Sequence, residues 1–159
     1  MAAVSHREAA AAAGRINTGG AFRMKATIEG ISTTKRFQRH EYGPKNDGLK
    51  LSVIEKESDL TGGIEGTAVV RYTAVTLGDG SRRFSGVLSV TGRVGGREGS
   101  FVLEDRGTGS TQETNGHWIV VPGSATDELA GLTGDGGWHW EVGRKDEAYT
   151  LSYEPVMDS

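Results

Sequence analysis

Residues Gly116–Gly137 read GHWIVVPGSATDELAGLTGDGG, and this stretch decides the architecture. His117–Val121 is a β-rich run, and Pro122 ends it because proline has no N–H for a ladder. Gly123, Ser124, Ala125, Thr126 and Asp127 supply turn chemistry. Glu128–Leu132 re-enters as a strand with Ala130 and Gly131, small enough for close backbone approach. Gly134, Gly136 and Gly137 then permit a tight bend. A chain that spends this many residues on one corner is bending its sheet hard, as closing a small barrel requires.

Outward from the corner, the chain reads as strands in both directions. Trp138 and Trp140 share one face, with His139 and Glu141 on the other, and Tyr149, Leu151 and Tyr153 form a last strand. Upstream, Phe101, Leu103 and Asp105 share a side, and Gly95-Gly96 makes a hairpin to the strand carrying Phe84, Leu88 and Val90. Gly78-Asp79-Gly80 leads back to Ile64–Thr76, with Ile64, Ala68, Val70, Tyr72 and Ala74 on one face and Gly66 placed for a bulge. Leu49, Leu51 and Val53 alternate with Lys50 and Ser52. Phe22, Met24, Ala26 and Ile28 alternate with charged and polar residues. Residues 30–48 read as an irregular charged connection, and 107–116 as a polar loop.

The 159 residues make one domain with a single core over 21–159, preceded by an arm over 1–20 that reads as loosely held or as a docked helix, since its HREAAAAAGR run can form about two helical turns. The 25 glycines follow no collagen period and mark turns and strand bends. About eight short strands, joined mainly by hairpins and with no βαβ unit, predict an all-β, closed antiparallel up-and-down barrel. Its inward apolar set would be Phe22, Met24, Ile28, Leu51, Val53, Val70, Phe84, Leu88, Val90, Phe101, Leu103, Trp118, Val120, Trp138, Trp140 and Leu151. The net charge of -3, with no block of Lys/Arg, lacks the footprint of a nucleic-acid binder. No apolar run suits a membrane helix. The absence of cysteine excludes disulfides and thiolate chemistry and fits a cytoplasmic protein.

The segments GGIEGTAVVRY, FSGVLSVTGRVGGREGSFVLEDRGT and the corner resemble a bacterial family known only as a domain of unknown function, whose fold is similar to the allene oxide cyclase barrel. The match runs from Gly62 to Tyr153. Its most specific part is W-x-V-x-P-G-S-x-T-x-E-L-A-G-L, which also resembles the corner of plant allene oxide cyclases and, more faintly, that of dirigent proteins. The resemblance implies a dry barrel that holds a reactive molecule and steers its ring closure or coupling, and by analogy a homodimer. It places an acidic residue at Glu65. Leu88 stands where the family has an acid, Asp105 near its histidine, and Ala125 and Asp127 where it has glycine.

A carboxylate at Asp105, continuing the face of Phe101 and Leu103, would be desolvated in the barrel and suited to general acid or base work. The same residue also reads as a strand end in water. Tyr72, Tyr149 and Tyr153 would bring phenol donors inward. Glu65 and Arg71 sit on the opposite parity and face solvent unless Gly66 shifts the register. Glu128 caps corner amides. His117 and His139 point outward, and on the opposite parity either would be a proton shuttle. The histidine spacing fits no metal site, the glycines fit no phosphate or dinucleotide loop, and no cofactor is implied.

The leading expectation is a cofactor-independent isomerase or cyclase acting on a small hydrophobic molecule. Asp105, Tyr72, Glu65 and Tyr149 are the catalytic candidates. Phe84, Leu88, Phe101, Leu103, Trp118, Trp138, Trp140 and Tyr153 are the ligand-binding candidates. The alternatives are a non-catalytic binding barrel and a filled barrel acting through its surface.

Overall fold

Alternation of inward and outward side chains builds β-structure throughout, and the described residues form nine strands, all antiparallel to their neighbours. The computed structural model describes residues 12–18, 21–46 and 48–154. The strands are β1 (Ala12–Thr18), β2 (Ala21–Asn46), β3 (Leu49–Gly62), β4 (Ile64–Leu77), β5 (Arg82–Val94), β6 (Arg97–Gly109), β7 (Glu113–Val120), β8 (Thr133–Glu141) and β9 (Glu147–Glu154). Each pairs with the next in sequence, and β2 pairs with β9 from Ala26↔Tyr153 to Ser32↔Glu147. That pairing closes β2–β9 into an eight-stranded barrel, with β1 laid against the start of β2. In the arm read from sequence as loosely held or helical, Ala12–Thr18 is a strand, because pairing with Ala21–Thr27 satisfies its backbone. Residues 1–11 lie outside the described residues.

The hairpins follow their glycines. At Gly95-Gly96 both φ angles are positive, 59° and 81°, which a two-residue turn matched to strand twist requires. Gly66 makes no bulge. It faces Gly92 in unbroken register, and a Cβ on it would lie 2.1 Å from the Thr91 carbonyl oxygen. Register shifts fall instead in β2, between Thr34 and Arg36 and between Tyr42 and Asn46, inside the segment read from sequence as an irregular connection. The 107–116 segment is likewise mostly strand, with only residues 110–112 turning between β6 and β7.

The corner does not re-enter as a strand at Glu128. Asp127–Leu129 forms one turn of 3-10 helix, and β8 begins at Thr133. The corner runs alongside β6 where β7 has ended. Thr126 N–H donates to the Ser100 carbonyl (2.8 Å), Val102 N–H to Ser124 Oγ (3.0 Å) and Glu98 N–H to Glu128 Oε1 (3.1 Å). These bonds satisfy β6 amides that would otherwise be an open edge. Leu129 and Leu132 are driven into the barrel end, each 1 % exposed. With Ile64, Val94, Phe101 and Val120 they seal it.

The inward set is as read from sequence on β4–β9. On β3 it is reversed. Ser52, Ser58 and Leu60 are buried and Ile54 packs on the core, while Leu51 and Val53 pair with the outward-facing Val75 and Thr73. Alternation specifies a strand but not which face turns inward, and the pairing Ser58↔Ala68 against β4 settles it. Ile28 is buried, whereas the side chains of Phe22 and Met24 lie outside the described residues.

Candidate functional site

The barrel is open at the end opposite the corner. A cavity of about 300 Å³ enters there, lined chiefly by Ile54, Lys56, Tyr72, Phe84, Trp138 and Trp140, with Phe37, Arg39, Arg82, Lys145 and Glu147 around them. Larger depressions of about 780, 610 and 770 Å³ lie along the outer wall, lined mostly by exposed strand residues. The smaller cavity, lined by described residues, enters the bore, and it matches the lower end of small-molecule sites, ~300 Å³.

Each element delivers its side chains by parity. The shift at Lys35 moves β2 from even to odd numbering, so Phe37 pairs with Lys56 and Arg39 with Ile54, on the inner face at the mouth. On β3 the reversed parity turns Lys56 inward, leaving its side chain 8 % exposed. Its ammonium donates to Glu147 Oε1 at 2.8 Å, from a β9 carboxylate 15 % exposed. The same nitrogen lies 5.3 Å from the Trp138 ring centroid and 5.8 Å from that of Tyr72. A buried pair with two aromatic faces against the cation compensates desolvation from several sides. Phe84 packs between Tyr72 and Trp138, with centroids at 5.1 and 5.6 Å.

Below the aromatic layer lies Asp105, 2 % exposed. Its Oδ2 accepts three hydrogen bonds: from Tyr72 Oη at 2.7 Å, Trp138 Nε1 at 2.7 Å and Trp118 Nε1 at 3.1 Å. Its Oδ1 has no partner. It lies against Gly116, where a Cβ would be 2.6 Å from Oδ1 and 2.0 Å from Trp138 Nε1. Only glycine at 116 lets the carboxylate and the indole meet. Burial pushes the Asp105 carboxyl above its ordinary range, and the three donors pull against it without cancelling it. Burial, and then the Asp105 carboxylate beside it, raise the Tyr72 phenol well above its ordinary value. Burial and the neighbouring Arg39 charge lower the Arg82 guanidinium.

Of the sequence candidates, Asp105 and Tyr72 meet, and Phe84, Trp138 and Trp140 share their cavity. Trp118 joins from the layer beneath. Leu88, Phe101 and Leu103 are buried in the core and do not line the opening. Tyr149 serves the fold: its hydroxyl donates to the Thr61 carbonyl (2.6 Å) and accepts from Ile64 N–H (2.9 Å), pinning the β3–β4 turn. Burial pushes its phenol up to about 12. Tyr153 is buried toward the sealed end, beside Gly95. Glu65 faces outward, paired with Arg93 in the register, away from the cavity. His139 is also outward, bonded to Asn115 and Glu141.

Lys56 and Glu147 are the residues that sequence reasoning missed. Glu147 was legible, two residues before Tyr149 on the same face of β9. Lys56 follows from counting back by twos from Leu60. Among the described residues no group of three or more His, Cys, Asp or Glu is placed to hold a metal ion.

No curated protein matches the chain. Its structure is similar to a crystal structure of a protein with unknown function from the DUF3224 family of Shewanella oneidensis MR-1. The TM-score is 0.66 at 21 % identity, covering 84 % of this chain and 99 % of that one. At that identity the likeness speaks for the fold. Residues 28–153 match the family described as protein of unknown function (DUF3224), a span that takes in β3–β9 and nearly all of the closed barrel, so the chain belongs to the DUF3224 family.

Proposed function

We propose that the protein is a cofactor-independent isomerase, kin to the allene oxide cyclase-like barrels, that takes a small molecule with a flat apolar body into the open mouth and moves a proton on it. The observation that carries this reading is the Tyr72–Asp105 hydrogen bond of 2.7 Å, one partner lining the cavity and the other sealed beneath it. Neither group serves well alone. The phenol is held well above its ordinary pKa and the carboxylate is out of reach. Together they form a relay. A proton leaving a substrate carbon passes to Tyr72 Oη as the phenolic proton passes to Asp105 Oδ2, and the reverse transfer delivers it to a different carbon. The Lys56 ammonium, close to the Tyr72 ring, offsets negative charge that develops on the substrate. Confinement among Phe84, Trp138 and Trp140 supplies orientation.

A carrier without chemistry is the second reading. It is favoured by the three donors already gathered on Asp105 Oδ2. One experiment separates the two. The ketone 2-tetralone is titrated against tryptophan fluorescence, and deuterium entry at its α-carbons is followed in D₂O by NMR. The enzyme reading expects saturable quenching with exchange faster than in buffer, and loss of that acceleration in Tyr72→Phe. Quenching with exchange at the buffer rate makes the protein a carrier. Absence of quenching removes both readings in favour of a filled barrel.

A further inference from the structure

The mouth carries more positive charge than its own carboxylates can answer. Arg39, Lys56, Arg82 and Lys145 line it, against Glu147. Lys56 takes Glu147 at 2.8 Å. Arg39, Arg82 and Lys145 form no ion pair with any described carboxylate. On the outer wall Lys35, Arg36, Arg71 and Arg93 each lie within 4 Å of an acidic side chain while Lys50, Arg83 and Arg106 do not, so what sets the mouth apart is that its unpaired cations gather around one aromatic cavity. Arg82 is held in place, its Nη2 donating to Thr114 Oγ1 at 2.8 Å and to the Ser110 carbonyl at 3.3 Å. Arg39 lies close enough to act on it as a like charge. Two guanidiniums and an ammonium around an aromatic bore, in a chain of net charge -3, repel one another unless an anion enters between them.

We infer that the molecule taken into the mouth is an organic carboxylate, its flat apolar body against Trp138, Trp140 and Phe84 and its carboxylate among Arg39, Arg82 and Lys145. This rests on the reading that the mouth holds a small molecule, and not on whether that molecule is turned over. Guanidinium recognises a planar carboxylate through paired N–H donors, and the partly desolvated site strengthens that contact. Arg39 and Lys145 are exposed and hold no other element in place, so they can be changed without disturbing the barrel.

The test is calorimetric titration with 1-naphthylacetate, 2-naphthylacetate and 4-phenylbutyrate, each beside its methyl ester. It uses the full chain and the double variant Arg39→Gln/Lys145→Gln, whose unchanged melting temperature is checked first. The wild type is expected to bind the acids about tenfold more tightly than the esters. That preference should shrink in the double variant and as NaCl is raised. Esters binding the wild type as tightly as acids overturn the inference while leaving a small-molecule site in place. A preference that survives intact in the double variant also overturns it. No binding by any acid or ester overturns both the inference and the reading beneath it.

Discussion

Asp105 shows how much one side chain depends on its surroundings. Two tryptophans and a tyrosine aim their only polar hydrogens at one of its oxygens, and the other oxygen is bare. The sequence places Asp105 on the inward face of β6 through Phe101 and Leu103, and it names Tyr72 and Trp138 as inward. It does not show that the three converge, because that depends on strand register and on the missing Cβ of Gly116. A carboxyl whose folded pKa is raised adds stability that is complete below its unfolded value, ~3.9, and is lost as pH rises through the folded one. Asp105→Asn accepts the same three bonds without that charge. In urea unfolding at stepped pH, the stability of wild type relative to the variant should therefore fall as pH rises above about 4. A difference that stays level across that range would deny the raised pKa. Asp127, where the family resemblance expects glycine, has φ 55°, a left-handed conformation that aspartate tolerates when its side chain bonds locally, and Asp127 Oδ2 accepts from Thr126 Oγ1 at 3.0 Å. Glycine would relieve the residual strain but lose that bond and chain entropy. Asp127→Gly should therefore stay within about 0.5 kcal/mol of wild type, a shift of no more than about 2 °C in a melting scan.

At the scale of elements, the hairpins were legible and the faces were only partly so. β4–β9 announce their inward sides because one parity is apolar nearly throughout, while the other carries only scattered apolar residues such as Val69, Val87 and Ile119. β3 does not, since Leu49, Leu51 and Val53 put apolar residues outward and Ser52, Lys56 and Ser58 inward. β2 conceals a parity shift at Lys35 within a run of charged residues that looks like a connection. These two ambiguous strands supply Lys56, Phe37 and Arg39, so the polar half of the site was the harder half to read. The corner behaves differently, because its small residues are demanded by contacts that can be tested singly. A Cβ at Gly99 of β6 would lie 2.2 Å from the Thr126 carbonyl oxygen, a backbone atom that cannot turn aside. Gly99→Ala should then lift the corner from β6 and cost about 1–3 kcal/mol. Hydrogen exchange would locate the damage: the Val102 and Thr126 amides should lose protection, while those of β4 keep it.

Along the axis of the whole molecule, the two ends do different work. Leu129 and Leu132 plug the corner end, the Asp105 layer fills the middle, and the aromatic and cationic residues leave the far end open. A barrel of eight strands has room for side chains or for one small ligand, and this one divides its bore between them. Stability and binding should therefore separate by position. Leu132→Ala removes a side chain 1 % exposed and should cost about 2–5 kcal/mol in denaturant unfolding. Phe37→Ala removes a rim ring 53 % exposed and should stay within about 0.5 kcal/mol of wild type. Against 2-tetralone or 1-naphthylacetate the order reverses. Leu132→Ala, still folded at low denaturant, should keep wild-type affinity. Phe37→Ala gives up roughly 1 kcal/mol of apolar contact and should bind about fivefold more weakly. Equal losses of affinity in both variants would mean that the ends are coupled through the core. The open mouth could not then be treated as a site resting on an independent scaffold.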